Sequence, residues 1–116
     1  AGHLPTAVDG KSWQGKLGAE YSIEEGAEAA RLTGLNILAT VKAAIGSLDQ
    51  VARVVKLIGF VNSASGFSQQ PAVINGCSDL FGEVVGDAGR HARSAVGVSE
   101  LPLDTPVEIE AIIEVR

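Results

Sequence analysis

Apolar residues recur every three or four positions between residues 22 and 46, a spacing that places them on one side of an α-helix. Ser22 begins this segment and Glu25 follows three positions later, so their side chains can cap each other's free backbone N–H groups. Gly46 predicts the end of the helix. The early members of the stripe are small, which predicts close packing on a sheet. The stripe consists of Ile23, Ala27, Ala30, Gly34, Leu38, Val41 and Ile45.

Residues 51–61 are apolar at both alternating positions, as expected of a β-strand that is covered on both faces. We expect a helix layer to cover one face, and a neighbouring subunit is a candidate cover for the other. The odd-numbered apolar positions are Val55, Leu57 and Val61, and the even-numbered ones are Val54, Ile58 and Phe60.

A second helix is predicted after the loop formed by residues 62–66. Pro71 suits the first turn of a helix, because an N–H group would have no partner there. Gly86 predicts the end of this helix. Its apolar stripe consists of Val73, Cys77, Leu80 and Val84.

The last part of the chain predicts two strands, Ser94–Val98 and Val107–Val115, joined by a connection that contains Pro102 and Pro106. Apolar and mostly acidic residues alternate along the final strand, so one face belongs to the core and the other is largely carboxylate.

The first 21 residues are rich in glycine and turn-forming residues. Asp9-Gly10, between Leu4 and Trp13, predicts a hairpin-like connection at the periphery. The predicted order is strand, helix, strand, helix, strand, strand, which gives an α+β sandwich with both helices on one face of the sheet. We find no repeat or linker and expect a single domain over residues 1–116.

Composition excludes several classes of protein. The net charge is −5 and no basic run is interleaved with aromatic residues, so nucleic acid and anionic membranes are poor partners. No segment approaches the length of a membrane-spanning helix or has the order of a signal peptide. A single cysteine, Cys77, and two distant histidines, His3 and His91, offer no disulfide and no zinc spacing. We expect a soluble cytoplasmic protein without a metal or organic cofactor.

The strand around Arg93 carries the most informative chemistry. Alternation places Arg93, Ala95 and Gly97 on one face, which leaves room for a small ligand beside the guanidinium. A guanidinium can hold a carboxylate through two parallel hydrogen bonds. Spacing alone favours an exposed arginine paired with a glutamate, which is the more common arrangement.

Glu108 lies on the polar face of the final strand, and it could reach Arg93 if the last two strands pair antiparallel. A carboxylate there could orient a water, although a solvated glutamate is more common. Other candidates are weaker. Cys77 lies within an apolar stripe and fits a buried structural thiol, His91 fits an exposed loop residue, and Trp13 fits a packing residue. Neither a dinucleotide-binding nor a phosphate-binding glycine loop occurs.

Arg93-Ser94, Leu101-Pro102 and residues 107–111 follow one another at the spacing of a C-terminal signature, and by them the sequence resembles the Rid or YjgF-like family. Residues 1–5 are similar to that family's Ser-Gly-Gln-hydrophobic-Pro segment. The middle of the family is matched by Phe60-Val61, Phe67 and Ile74-Asn75. The resemblance covers essentially the whole chain.

The resemblance implies a chorismate-mutase-like subunit in a homotrimer, whose sheets form a central barrel with ligand sites in clefts between subunits. It implies hydrolysis of enamines and imines, such as 2-aminoacrylate, to 2-keto acids and ammonia. Arg93 would bind the substrate carboxylate and Glu108 would hold the attacking water. Gly2 and backbone groups near Ala95 would line the site, and Asn75 matches a recurrent helix residue.

The sequence departs from the family at three places. The family's N-terminal hairpin, which carries a site tyrosine, has no counterpart, and we expect it to belong upstream of Ala1. Ala1 stands where a site serine is usual, and Ala95 stands where many deaminases have cysteine. The alternative function is a trimeric protein that binds small carboxylates without catalysis. The acidic charge disfavours a third alternative, RNA cleavage.

Overall fold

The structure is a computed structural model that describes residues 2–7 and 9–116, so Ala1 lies outside the described residues. Every helix and strand predicted after residue 21 is confirmed, and most bounds agree within two residues. Single-turn 3-10 helices occupy Leu48–Gln50, Gly86–Gly89 and Pro102–Asp104. The main elements in chain order are helix α1 (Ile23–Ile45), strand β1 (Val51–Asn62), helix α2 (Gln70–Val85), strand β2 (Ala92–Val98) and strand β3 (Val107–Val115).

The sheet has three strands in the order β2-β1-β3, with β1 in the centre. β1 runs parallel to β2 and antiparallel to β3, so the sheet is mixed. The parallel pair requires a crossover connection, which α2 supplies. α1 and α2 pack against each other and lie on the same face of the sheet, which confirms the predicted α+β class.

Local signals set the ends of α1. Ser22 Oγ accepts a hydrogen bond from the Glu25 N–H at 3.2 Å, and Glu25 Oε1 accepts one from the Ser22 N–H at 3.0 Å. These bonds favour the carboxylate and lower the pKa of Glu25. Gly46 ends the helix with φ 84°, a conformation that glycine adopts without a steric penalty.

The predicted stripe of α1 is partly wrong, because Ile23 is 37% exposed. α1 contacts α2 on one side and β3 on another, so its buried band is wider than a single stripe and includes neighbouring positions. Small residues allow the close approach: a Cβ on Gly34 would lie 3.0 Å from Cys77 Sγ. The buried residues are Gly26, Ala29, Ala30, Thr33, Gly34, Ile37 and Leu38.

In α2, Val73, Cys77 and Leu80 are buried as predicted, but Val84 is 43% exposed. Phe81 is fully buried and takes the place that the sequence pattern gave to Val84. The predicted stripe is therefore right in its first three members and wrong in its last one.

β1 is covered on one face only within a single chain. Leu57 and Val61 are fully buried under the helices, whereas Ile58 and Phe60 on the other face are partly exposed. Val54 is buried although its parity assigns it to the second face. Irregular pairing with β3 between residues 51 and 56 shifts the alternation there.

The segment before α1 contains no regular strand within residues 2–7 and 9–21, so the predicted first strand is wrong. An isolated antiparallel bridge joins His3 to Ile109 instead. Asp9-Gly10 does form a turn, closed by a 3.2 Å bond from the Gly10 N–H to the Ala7 carbonyl. Trp13 is buried against Tyr21, with 5.5 Å between ring centroids, which confirms its packing role.

Asn62, at the end of β1, holds the connection between β2 and β3. It is fully buried, and its Nδ2 donates to Asp104 Oδ1 and to the Thr105 carbonyl, both at 3.1 Å. Lys16 Nζ donates to Asn62 Oδ1 at 2.7 Å. These bonds stabilise a turn in which Leu103 and Asp104 both have positive φ, at 58° and 55°.

Candidate functional site

Arg93 lies on β2 opposite Leu57, so its side chain projects on the face that the helices cover. One terminal nitrogen donates to Ser78 Oγ at 3.0 Å, and the other donates to the Pro71 carbonyl at 3.3 Å. Both acceptors belong to α2. A guanidinium has five N–H donors, so these two bonds fix its orientation and leave donors for a ligand.

A cavity of about 350 Å³ opens beside Arg93, between α2 and the segment that leads into β2. It brings together two predicted site residues, Arg93 and Asn75. Sequence reasoning missed Ser78, although it lies one helical turn after Asn75 and therefore on the same side of α2. The cavity is lined by Asn75, Ser78, Gly82, Gly89, Arg90, His91 and Arg93.

Ala95 is not among the cavity residues. It lies opposite Gly59 on the helix-covered face and packs against the hydrophobic core. Within one described chain, Ala95 therefore contributes to the core rather than to the cavity wall beside Arg93.

Glu108 and Gly2 lie together, away from Arg93. A Cβ on Gly2 would overlap the Glu108 carboxylate, so the absence of a side chain at residue 2 makes room for that group. Glu108 lies opposite Phe60, whose parity differs from that of Leu57, the neighbour of Arg93. Glu108 and Arg93 therefore occupy opposite faces of the sheet.

The expectation that β2 and β3 could pair, and so bring Arg93 beside Glu108, is wrong. β1 lies between the two strands. One chain thus carries two separate groups of predicted site residues: Arg93 with Asn75 at the cavity, and Glu108 with Gly2 on the other face.

Cys77 is fully buried, in agreement with the structural role predicted for it. Burial raises the pKa of its thiol to about 12, although the nearby positive charge of Arg93 acts in the opposite direction. A thiol with this pKa holds almost no thiolate near neutral pH and is a poor nucleophile.

His91 precedes β2 in a loop, as predicted, but it is half-buried rather than exposed. Its ring packs edge-on against Phe81, with 6.4 Å between centroids, and its Nδ1 lies 3.1 Å from the Ala92 carbonyl. These contacts hold the imidazole in one orientation at the wall of the cavity.

The cavity suits a small anion, because the described residues that line it include arginines and no aspartate or glutamate. Among residues 2–7 and 9–116, no group of three or more His, Cys, Asp or Glu side chains could hold a metal ion. No described helix is both long enough and apolar enough to cross a membrane.

Three relatives place the chain among known proteins. TCP17 of Trypanosoma cruzi is 47% identical over 117 residues, covering 100% of this chain and 73% of that protein. Atu1372, a protein of unknown function from Agrobacterium tumefaciens, is 44% identical with a TM-score of 0.96, covering 100% of this chain and 74% of its own. TdcF of E. coli, solved with bound serine, is 26% identical with a TM-score of 0.63, covering 100% and 77%.

The family described as "YjgF/chorismate_mutase-like, putative endoribonuclease" matches residues 1–114. This match spans nearly the whole chain and agrees with the observed order of helices and strands and with the relatives above. The chain therefore belongs to the YjgF/chorismate-mutase-like family.

Proposed function

We propose that the protein hydrolyses enamine and imine intermediates of the 2-aminoacrylate type to 2-keto acids and ammonia. The observation that carries the proposal is the arginine at the cavity: Ser78 and the Pro71 carbonyl orient Arg93, and its remaining N–H groups are available to a carboxylate. The serine bound by TdcF supports a ligand of this kind, because serine is a small amino acid with a carboxylate.

In the proposed reaction, Arg93 binds the substrate carboxylate and Glu108 orients a water toward the carbon of the C=N bond. Addition of the water forms a carbinolamine, and loss of ammonia from it leaves the 2-keto acid. The imine is already electrophilic, so positioning supplies much of the remaining rate enhancement and no cofactor is required.

Since Arg93 and Glu108 lie on opposite faces of one sheet, we propose that Glu108 reaches the substrate from a neighbouring subunit of a homotrimer. The sheet face without helices supports an assembly, because it exposes apolar side chains that include Val96 and Ile112, 44% and 59% exposed. Exposed apolar surface of this kind is typical of protein interfaces. Light scattering tests this assembly, and a monomer in solution would contradict the inter-subunit site.

A second candidate function is binding of small carboxylates without turnover. The serine held by TdcF favours it equally, because binding alone does not require a reaction. RNA cleavage, which the family description suggests, has less support in a chain of net charge −5.

Ammonia release from freshly generated 2-aminoacrylate tests the proposal. The wild type should exceed the spontaneous rate. Arg93→Lys keeps the charge but loses the paired hydrogen bonds, and Arg93→Ala loses both. Losing a charged contact of about 1.5–3 kcal/mol predicts a fall of about 10- to 100-fold in carboxylate binding.

Arg31→Ala is the matched control, because Arg31 is an exposed arginine of α1 that pairs with Glu83 at 3.0 Å, away from the helix-free sheet face. It should not change ammonia release. If the wild type binds 2-keto acids but leaves the spontaneous rate unchanged, the binding function replaces the deaminase; full activity in Arg93→Ala would contradict the assigned site.

A further inference from the structure

The cavity beside Arg93 carries more positive charge than a simple carboxylate needs. The chain has 14 acidic and 9 basic residues, yet two arginines line this cavity and none of the described residues that line it is acidic. The second arginine, Arg90, has no counterpart among the predicted site residues. Arg93 alone can bind one carboxylate, so Arg90 is available for another group of the ligand.

Arg90 is available to a ligand. Its backbone N–H donates to the Asp87 carbonyl at 3.1 Å, so a turn fixes where its side chain begins. Its side chain is 87% exposed and lies 3.8 Å from the Asp87 carboxylate, which is itself fully exposed. An exposed ion pair of this kind contributes little stability, so Arg90 can exchange Asp87 for another anion at low cost.

The cavity is also larger than a three-carbon substrate requires. The imine of pyruvate has six non-hydrogen atoms. If each occupied as much volume as a water molecule in the liquid, ~30 Å³, the substrate would fill roughly half of the cavity, whose volume is about 350 Å³. Space remains for additional carbon atoms and a further polar group.

We propose that Arg90 binds a second anionic group of the substrate, so that the preferred substrate is an enamine or imine of a 2-keto acid with a distal carboxylate or phosphonate-like group. This inference rests on the proposed function for its reaction, but not for its ligand class. Arg93 holds the carboxylate next to the reacting carbon, and Arg90 holds the distal anion at the mouth of the cavity.

Binding of stable keto acids tests the inference without requiring turnover. Isothermal titration calorimetry would compare pyruvate, with one anionic group, against 2-oxoglutarate and 3-phosphonopyruvate, each with a second. The wild type should bind at least one of the two larger acids about tenfold more tightly than pyruvate, the effect of one additional charged contact. The tighter of the two identifies the distal group as carboxylate or phosphonate.

In Arg90→Gln, the ratio of the dissociation constant of pyruvate to that of the tighter-binding larger acid should fall to nearly one. Arg93→Gln should instead weaken binding of all three acids. Arg31→Gln serves as the control for loss of an ion-paired surface arginine and should retain the preference. Equal binding of all three acids by the wild type, or a preference that survives Arg90→Gln, would overturn the inference. A preference without ammonia release would leave it standing while the proposed reaction fails.

Discussion

Arg93 and Glu108 lie on opposite faces of the sheet, and β1 separates the strands that carry them. Arg93 lies opposite Leu57 beneath the helices, and Glu108 lies opposite Phe60 on the uncovered face. A reaction that uses both side chains on one substrate therefore requires two copies of the chain. This requirement can be tested without a structure of the assembly.

Mixed assemblies of two inactive variants should regain activity. In a cyclic trimer each site would take Arg93 from one subunit and Glu108 from the next. Random mixing of equal amounts of Arg93→Ala and Glu108→Gln subunits leaves both residues intact at about a quarter of the sites. Ammonia release should thus recover to about a quarter of the wild-type rate after the two proteins are unfolded and refolded together.

Wild-type protein taken through the same refolding gives the reference rate, and each variant refolded alone gives the baseline. If the mixture stays at this baseline while light scattering shows normal assembly, Arg93 and Glu108 do not act together across a subunit boundary.

Ser78→Ala should weaken carboxylate binding by about three- to tenfold, the contribution of one hydrogen bond. Ser78 Oγ accepts a bond from Arg93 at 3.0 Å, so its removal frees the guanidinium to adopt other orientations. Pyruvate binding by calorimetry measures the effect. Ser78→Thr keeps a hydroxyl and should restore most of the affinity.

Ser65→Ala is the control for this series, because Ser65 is an exposed residue of the loop before α2. If Ser78→Thr binds pyruvate as poorly as Ser78→Ala, the hydroxyl does not position Arg93 and the loss reflects packing.

The parts of the fold that the sequence predicts well depend on local chemistry. Ser22, Glu25 and Gly46 set the ends of α1 through bonds and dihedral angles within a few residues. Errors arose where distant segments decide the outcome. Val54 is buried because β1 pairs irregularly with β3, a strand more than fifty residues away along the chain.

In the candidate site, too, local features could be predicted and features set by distant segments could not. The resemblance singled out Arg93 and Asn75 separately, and both residues line the cavity. Whether Glu108 also reaches Arg93 depends on strand order, and no local pattern reveals that β1 lies between β2 and β3. Ser78 could have been found from its helical spacing to Asn75, whereas Arg90 and His91 enter the cavity through the path of the chain after α2.

Cys77 should make the stability of the protein depend on pH in the alkaline range. Burial raises the pKa of the folded thiol to about 12, from an ordinary value of 9.0. The preference for the neutral thiol therefore stabilises the fold fully below about pH 9, and this contribution is lost as the pH rises toward 12. The destabilisation caused by Cys77→Ala should be smaller at pH 10.5 than at pH 8.

Urea unfolding of the wild type and Cys77→Ala at both pH values measures this difference. All other side chains are the same in the two proteins, so the comparison isolates the thiol. If the difference in free energy of unfolding between the two proteins is the same at both pH values, Cys77 loses its proton equally readily in the folded and unfolded states.

Two glycines of α2 should respond to alanine in opposite directions. A Cβ on Gly76 would overlap the backbone carbonyl of Ala27 in α1, so Gly76→Ala must separate the two helices. Overpacking of this kind costs about 1–3 kcal/mol. A Cβ on Gly82 meets no atom of the described residues within 4 Å, so Gly82→Ala should gain the helix propensity of alanine, about 0.5–1 kcal/mol. Urea unfolding measures the free energy of unfolding of both variants, which should fall for Gly76→Ala and rise for Gly82→Ala. Equal changes in the two variants would contradict the close contact between α1 and α2 at Gly76.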